Sequence, residues 1–354
     1  MDEPRDPPLV SVIVPAYNAA TTIAGTLRSA LGQTHRNLEV IVVDDGSSDA
    51  TAEIVRAVQA GDDRLVLVTQ PNAGVAAARN AALERARGAY VAPLDADDLW
   101  HPTKIARQLS RIAGQPDAVM VYCWSADIDG REIVLEQRLE VVRFEGDVLA
   151  PLLVANFIDT SSVPLMRKDA VTAVGGWDES LRACDAQGCE DWMVYVRLAA
   201  MGNVLLEPAF LVGYRQSPEA MSRNFERMRR SMDLVHREAK QSFATLPNWV
   251  FRQSRAQFDH YMADLLREDG RLAASWRQRG QAILRDPTWL ASRTARRRIK
   301  GWLKRQPAYP LIGGGTLPFA DLDPDPTRFP GPDKWTRRRN EKLARANLAS
   351  TPEG

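Results

Sequence analysis

Histidine and cysteine are both scarce in this chain, at four and three among 354 residues. Cys123, Cys184 and Cys189 make an odd count, and in a chain this long they read as reduced thiols, not as a disulfide framework. Cys184 and Cys189 lie close in sequence, but no histidine stands beside them, so a zinc site is not expected. No run of about 18 apolar residues occurs, so no transmembrane helix is expected either. The opening MDEPRDPP is acidic and proline-rich, the opposite of a secretory leader, which makes the cytoplasm the expected location. A formal net charge of +1 selects no polyanionic or polycationic partner for the chain as a whole. No G-x-G-x-x-G follows the first apolar run, which argues against a dinucleotide oxidoreductase. No internal repeat is present.

What the first 130 residues do contain is a strict alternation. LVSVIVPAY (9–17), LEVIVVDD (38–45), RLVLVTQ (64–70), AYVAPLD (89–95) and AVMVYCWS (118–125) are Val- and Ile-rich runs that predict strands covered on both faces. Residues 21–33, 49–60, 74–86 and 102–113 between them have helical periodicity, the second capped by Ser48 or Asp49 with Glu53 close behind. Strands and helices alternating through short links predict a parallel α/β sheet that binds its ligand at the carboxyl ends of the strands. From 131 to 225 the pattern turns irregular. A hairpin strand in IVLEQRLEVV, a strand and helix in TSSVPLMRKDAV, a helix in CEDWMVYVRLAAMG and a last strand in NVLLEPAFLVGYR predict a mixed sheet that completes the same domain. Residues 1–8 read as a tail, 226–306 as a helical basic extension, and 307–354, rich in Pro, Gly and charge, as a tail loosely ordered or wrapped on the surface.

Polar stretches mark four successive strand ends: PAYN (15–18), DDGSSD (44–49), NAGVAAARN (72–80) and DADD (95–98). Each alone has a plain reading as a turn, a helix cap or a solvated loop. Together they offer what a nucleotide requires. Asp45 suits a ring N–H, Tyr17 a face for the base or ribose, and Arg79 a base carbonyl or diphosphate. Carboxylates spaced D-x-D on an extended strand end point the same way and can share one hard cation, Mg²⁺ or Mn²⁺, with the phosphates.

These stretches in this order, with W-x-P-x-K at 100–104, VGGWDESL at 174–181 and CEDWMVYVRL at 189–198, resemble a family 2 glycosyltransferase of the GT-A fold over about residues 9–225. The resemblance implies an inverting, metal-dependent enzyme that moves one sugar from a nucleotide diphosphate, UDP in the first instance, to a hydroxyl of a glycan or lipid-linked acceptor. It implies that Pro15, Tyr17 and Asn18 line the nucleoside pocket and that Asp45 contacts the base. Asn72, Gly74 and Arg79 would border base and diphosphate, Asp95 would touch ribose or sugar, and Asp97 would hold the metal. Asp191 would be the general base, with Glu190 orienting it or the acceptor. Asp191 also suits that role on its own terms, as a carboxylate beside an aromatic at a helix start; capping that helix is the plainer alternative. The sequence departs from the family at Ser217, where many relatives have a histidine that can reach the metal. The Q-x-x-R-W signature of processive members is absent, which favours a single transfer. A catalytically silent nucleotide-sugar-binding or scaffolding subunit is the alternative function.

Between 271 and 305, eleven Lys or Arg face one acid, Asp286, with Trp289, Leu290, Ile299, Trp302 and Leu303 interleaved. A basic amphipathic helix of this kind suits the inner face of an anionic membrane. The competing reading packs the tryptophans on the catalytic domain and leaves the arginines solvated. Nucleic acid is not expected, since no matching basic surface occurs elsewhere in the chain.

Overall fold

In the computed structural model, residues 7–137, 143–216, 224–292, 295, 317–325 and 334–348 are described. The first half follows the alternation of its sequence: β1 (Val10–Ala16), α1 (Ile23–Leu31), β2 (Leu38–Asp44), α2 (Thr51–Gln59), β3 (Leu65–Thr69), α3 (Val75–Arg85), β4 (Tyr90–Pro93), a two-residue β5 (Leu99–Trp100) and α4 (Lys104–Ile112). β6 (Ala118–Ile128), β7 (Val134–Gln137), α5 (Leu149–Val154), β8 (Leu165–Arg167), α6 (Lys168–Ala173), α7 (Ser180–Ala183), α8 (Glu190–Ala199) and β9 (Asn203–Arg215) complete the domain.

One sheet of nine strands runs β3-β2-β1-β4-β8-β6-β9-β5, with β7 paired to β6. β1 pairs in parallel with β2 and β4, and β2 with β3, whereas β8 joins antiparallel on both its sides, which makes the sheet mixed. Every residue of β1 and β2 is buried, because helices cover both faces; each fully buried Val or Ile contributes about 1.5–3 kcal/mol relative to exposure. β3 differs from the expectation of a strand covered on both faces: Val66 is exposed, since β3 is the sheet's edge. After β3 the chain crosses to the other side of β1, so the strand order switches between β1 and β4 and leaves a crevice at their carboxyl ends.

The turn after β2 depends on Gly46, whose φ is +76°; a Cβ there would stand 2.8 Å from the backbone nitrogen of Asn72. Asp49 accepts from the Thr51 amide at 3.0 Å and from the Ala20 amide at 3.0 Å, so its carboxylate opens α2 while tying it to α1.

α9 (Phe225–Ser242), α10 (Asn248–Glu268) and α11 (Leu272–Arg285) form the helical extension. α9 braces the start of α8: Ser231 Oγ accepts from the Cys189 amide at 3.0 Å, and Arg197 pairs with Glu238 at 2.6 Å. Trp289, lipid-facing in the membrane-helix reading and packed inward in the competing one, sits in a short 3-10 helix (Pro287–Ala291), 2% exposed and stacked on His260 with ring centroids 3.9 Å apart. Aromatic burial outweighs amphipathic display there, and Arg279, paired with Asp264, closes the cluster over the same ring. Ile299, Trp302 and Leu303 lie outside the described residues.

Within the C-terminal stretch, residues 317–325 strap the sheet. The Leu317 and Pro324 carbonyls accept from the amides of Val134 and Phe210, each at 2.9 Å, and the Phe319 ring buries itself where Gly213 leaves room. α12 (Lys334–Leu348) lies against α5 and adds Leu343 and Ala346 to the core.

Replacing Gly46 by Ala forces a side chain into left-handed backbone and against the Asn72 amide. Gly46→Ala is expected to lower the unfolding free energy by at least about 1–2 kcal/mol in urea titrations; an unchanged midpoint would show that the turn relaxes freely.

Candidate active site

The four polar strand ends meet at the crevice between β1 and β4. Pro15 is buried within β1 and pairs with Val43, so of PAYN only Tyr17, 55% exposed, and Asn18 face solvent. Asn18 adopts φ +48°, which asparagine tolerates better than most residues. Its amide donates to Ser47 Oγ at 2.9 Å and its Oδ1 accepts from the Ser48 amide at 2.8 Å, which locks the first two strand ends together.

Asp45 is 4% exposed and already engaged. Its Oδ1 accepts from Gln70 Nε2 and the Ala73 amide and its Oδ2 from the Gly74 amide, all at 2.8 Å. The carboxylate therefore shapes the 70–74 turn and sets the start of α3. Asn72 is exposed on that turn, and Gly74 precedes α3 with φ +96°.

Arg79 is the hinge of the site. α3 approaches the sheet through small residues, Ala76, Ala78 and Ala82, and this brings Arg79 to the strand ends at 4% exposure. Its Nη2 lies 2.7 Å from Asp95 Oδ1 and 2.8 Å from Ser161 Oγ, and its Nη1 lies 3.3 Å from Glu190 Oε1. One guanidinium thus joins the carboxylates after β4 to those that open α8. Burial alone would lower its pKa; Asp95, Glu190 and Asp191 outweigh that and raise it.

The three aspartates after β4 part company. Asp95 is partly exposed and paired with Arg79. Asp98 is fully buried and accepts from Thr160 Oγ1 at 3.0 Å, Ser162 Oγ at 2.6 Å and the Arg215 amide at 3.0 Å. Burial and the neighbouring Asp97 and Asp95 push its pKa well up. Asp97 is partly exposed; burial, then Asp95, raise it to about 6. Arg215 Nε grips the Asp97 carbonyl at 2.7 Å, while Asp97 itself stays partly exposed.

On α8, Glu190 is 5% exposed and bound to Arg79 and to the Gly188 amide, the latter at 2.7 Å. Asp191 is partly exposed, and its Oδ1 accepts from the Trp192 amide at 2.7 Å. Burial, then Glu190, push Asp191 up to about 7 against the opposing pull of Arg79. Asn80 staples the glycine-rich loop ahead of α8, with Nδ2 donating to the Trp177 carbonyl and Oδ1 accepting from the Trp177 amide.

Five carboxylates (Asp95, Asp97, Asp98, Glu190 and Asp191) thus crowd around two guanidiniums, those of Arg79 and Arg215. That excess of negative charge fits a hard divalent cation, and the all-oxygen donor set suits Mn²⁺ or Mg²⁺. Among the described residues no three His, Cys, Asp or Glu form a metal cage, so ligand oxygens would have to complete the coordination around Asp97. Ser217 lies outside the described residues. The sequence reading missed Thr160, Ser161, Ser162 and Arg215; the only local sign was three consecutive hydroxyl residues within an otherwise apolar segment.

The raised Asp191 fixes a sign for stability. Its folded pKa of about 7 exceeds the 3.8 of a free aspartate, so between those pH values the folded chain holds more protons than the unfolded one and loses stability as pH rises. Asp191→Asn removes that dependence. In metal-free buffer the variant should gain on the wild type from about pH 4 to about pH 7 and hold that gain above it, read from urea midpoints; parallel curves would place Asp191 at an unperturbed pKa.

Residues 11–173 match the Glycosyl transferase family 2 model. TuaG of Bacillus subtilis (strain 168), named for teichuronic acid biosynthesis, is 50% identical over 103 residues, or 29% of this chain and 41% of TuaG. The Escherichia coli UDP-Glc:alpha-D-GlcNAc-diphosphoundecaprenol beta-1,3-glucosyltransferase WfaP is 45% identical over 102 residues, or 28% of this chain and 40% of WfaP. The matches thus span about two fifths of these relatives' own lengths. Among solved structures, the mannosyltransferase PcManGT from Pyrobaculum calidifontis, in complex with GDP-Man and Mn2+, superposes with a TM-score of 0.56 at 18% identity, over 98% of this chain and 86% of that one. The sheet order, the carboxylates at its strand ends and these likenesses converge: residues 11–173 carry the glycosyl transferase family 2 match, on a GT-A fold.

Proposed function

We propose that the protein is an inverting glycosyltransferase that moves a single sugar from a nucleotide diphosphate sugar, in our reading a UDP-sugar, to an acceptor hydroxyl during assembly of a bacterial surface glycan. The observation that carries the proposal is Arg79, which binds Asp95 on one side and Glu190 on the other and so sets a donor-facing carboxylate cluster against the carboxylates of α8. The names of the relatives support the donor and acceptor classes: WfaP is named for UDP-Glc and a diphosphoundecaprenol acceptor.

Tyr17, Asn18, Asn72 and Gly74 border the nucleoside in this reading, and Asp45 holds the turn on which two of them stand. Asp95, charge-balanced by Arg79, meets the sugar or ribose. The acceptor oxygen attacks the anomeric carbon from the face opposite the phosphate. The bond from that carbon to the phosphate oxygen breaks, and its electron pair leaves with the diphosphate. Asp191 takes the acceptor's proton; a carboxylate held near pH 7 is matched to that task, and Glu190, tied to Arg79, keeps it oriented. Asp97 would hold Mn²⁺ or Mg²⁺ together with the diphosphate, and the ion when bound would offset the leaving group's charge. One displacement inverts the anomeric configuration.

A lipid-linked acceptor would require access to a membrane. No helix among the described residues is long and apolar enough to cross one. α11 and the turn after it instead expose Leu272 (57%), Trp276 (55%), Leu284 (84%) and Leu290, beside exposed Arg271 and Arg277. Seven further Lys or Arg and no acid follow from 293 to 305 in the sequence. This combination of apolar and basic groups favours a peripheral seat on anionic lipid.

Two experiments test the proposal. Asp191→Asn should lower the transfer rate by about 10²–10⁴ with donor affinity nearly unchanged, while Asp97→Ala should lose metal-dependent UDP binding. A wild type that binds the donor but transfers to no acceptor would make the protein a silent binder. For the membrane seat, vesicles containing phosphatidylglycerol should sediment the wild type in a salt-sensitive manner, and Trp276→Ser with Leu284→Ser should weaken this. Equal, negligible binding to anionic and neutral vesicles would leave α11 an ordinary solvated helix.

A further inference from the structure

Three aspartates within four residues should compete for any cation that approaches them, yet the loop opposite makes them unequivalent. Thr160, Ser161 and Ser162 are 4%, 2% and 0% exposed, and each hydroxyl has one proton to give. Ser162 Oγ accepts from the Asp95 amide at 3.0 Å and so donates its proton to Asp98 Oδ2 at 2.6 Å. Thr160 Oγ1 accepts from the Ser162 amide at 3.3 Å and donates to the same oxygen at 3.0 Å. Ser161 Oγ accepts from Arg79 Nη2 at 2.8 Å and donates to Asp95 Oδ2 at 2.6 Å. All three chains run from a nitrogen donor through a hydroxyl to a carboxylate, and none ends on Asp97.

The loop is itself clamped to the segment it reads. Trp100, two residues after Asp98, donates its indole N–H to the Ser162 carbonyl at 2.9 Å, and from α1 Thr26 Oγ1 lies 2.9 and 3.0 Å from the carbonyls of Ala96 and Asp98. The turn and the loop can therefore shift only together.

We infer that Thr160, Ser161 and Ser162 are positioning residues that hold Asp98 in its pocket and Asp95 against Arg79, and thereby leave Asp97 as the one carboxylate of the three that no hydroxyl of this loop holds away from a divalent cation. The inference rests on the glycosyltransferase reading only in taking a metal–diphosphate pair as the ligand. The role is more than structural. Without these hydroxyls, a cation on Asp97 could draw Asp95 away from Arg79, or Asp98 out of its pocket, and the geometry offered to the diphosphate would be lost. Outer groups that orient a ligating carboxylate commonly set metal affinity by this means.

The test is calorimetric titration of MnCl₂ into the full chain with UDP present. Thr160→Val and Ser162→Ala should each weaken Mn²⁺ binding by about 10–100-fold, and Ser161→Ala should act in the same direction without removing any partner of Asp98. Thr160→Ser, which keeps the hydroxyl, should restore wild-type affinity. A lower melting temperature with unchanged Mn²⁺ affinity would reduce the loop to a structural role and overturn the inference, as would Asp97→Ala binding Mn²⁺ as well as the wild type does. Failure of the wild type to bind Mn²⁺ and UDP together would overturn the functional reading as well, which separates the two failures. Where Thr160→Val or Ser162→Ala does not fold, Ser161→Ala and Thr160→Ser still give opposite expected results.

Discussion

A single buried guanidinium carries the burden of this structure. Arg79 sits at 4% exposure between Asp95 and Glu190, residues that belong to different halves of the domain and are separated by nearly a hundred positions in sequence. A buried charge of this kind is tolerated only when paired, and each of its partners is in turn costly to bury alone. The pairing therefore works in both directions. It compels α3 to approach the strand ends through alanines, and it compels α8 to present its first turn at the same point. The macrodipole of α8 assists, since a helix N-terminus favours negative charge, yet burial and the mutual repulsion of Glu190 and Asp191 still hold Asp191 near neutrality.

Much of this was legible in the sequence, for specific reasons. The strands β1 to β4 lie in apolar runs that each end in a polar cluster, so the run gave the element and the cluster its carboxyl end, whereas the two-residue β5 had no such signal. Asp95, Asp97, Arg79, Glu190 and Asp191 could be picked out because each stands in a short stretch of recognisable chemistry, and the structure brings them to one crevice. What was not legible depends on long-range partners. Asp97 and Asp98 are adjacent in sequence and chemically identical; that Asp98 is held under Thr160 and Ser162 while Asp97 stays partly exposed depends on a loop more than sixty residues away. Asp45 likewise stands in a recognisable stretch, but its three bonds to the 70–74 turn come from residues 25, 28 and 29 positions away, which periodicity does not register.

The C-terminal third illustrates the same limit from the packing side. Alternating tryptophans and arginines satisfy the pattern of a membrane-surface helix, but a pattern cannot register that His260 and Arg279 already offer Trp289 a stacked, buried seat. Nor could the proline- and glycine-rich composition of the tail reveal that Phe319 has a place prepared at Gly213, where the missing side chain leaves space for a ring on β9. In both cases one aromatic residue finds a complementary surface formed by distant chain, and the burial gained outweighs the local tendency of the sequence.

These distant contacts bear on the site and not only on stability. Arg215 ends β9, the strand on which Phe319 rests, and it fixes the Asp97 carbonyl and the Asp98 carboxylate. Ser231 of α9 takes the amide immediately before Glu190. The strap thus supports the carboxylates after β4 from one side while the helical extension supports those of α8 from the other. Arg79 spans the gap between them. A site whose two charged halves are held by separate appendages can keep an anionic crevice open between them, and on its two sides Asp97 and Asp191 stay partly exposed.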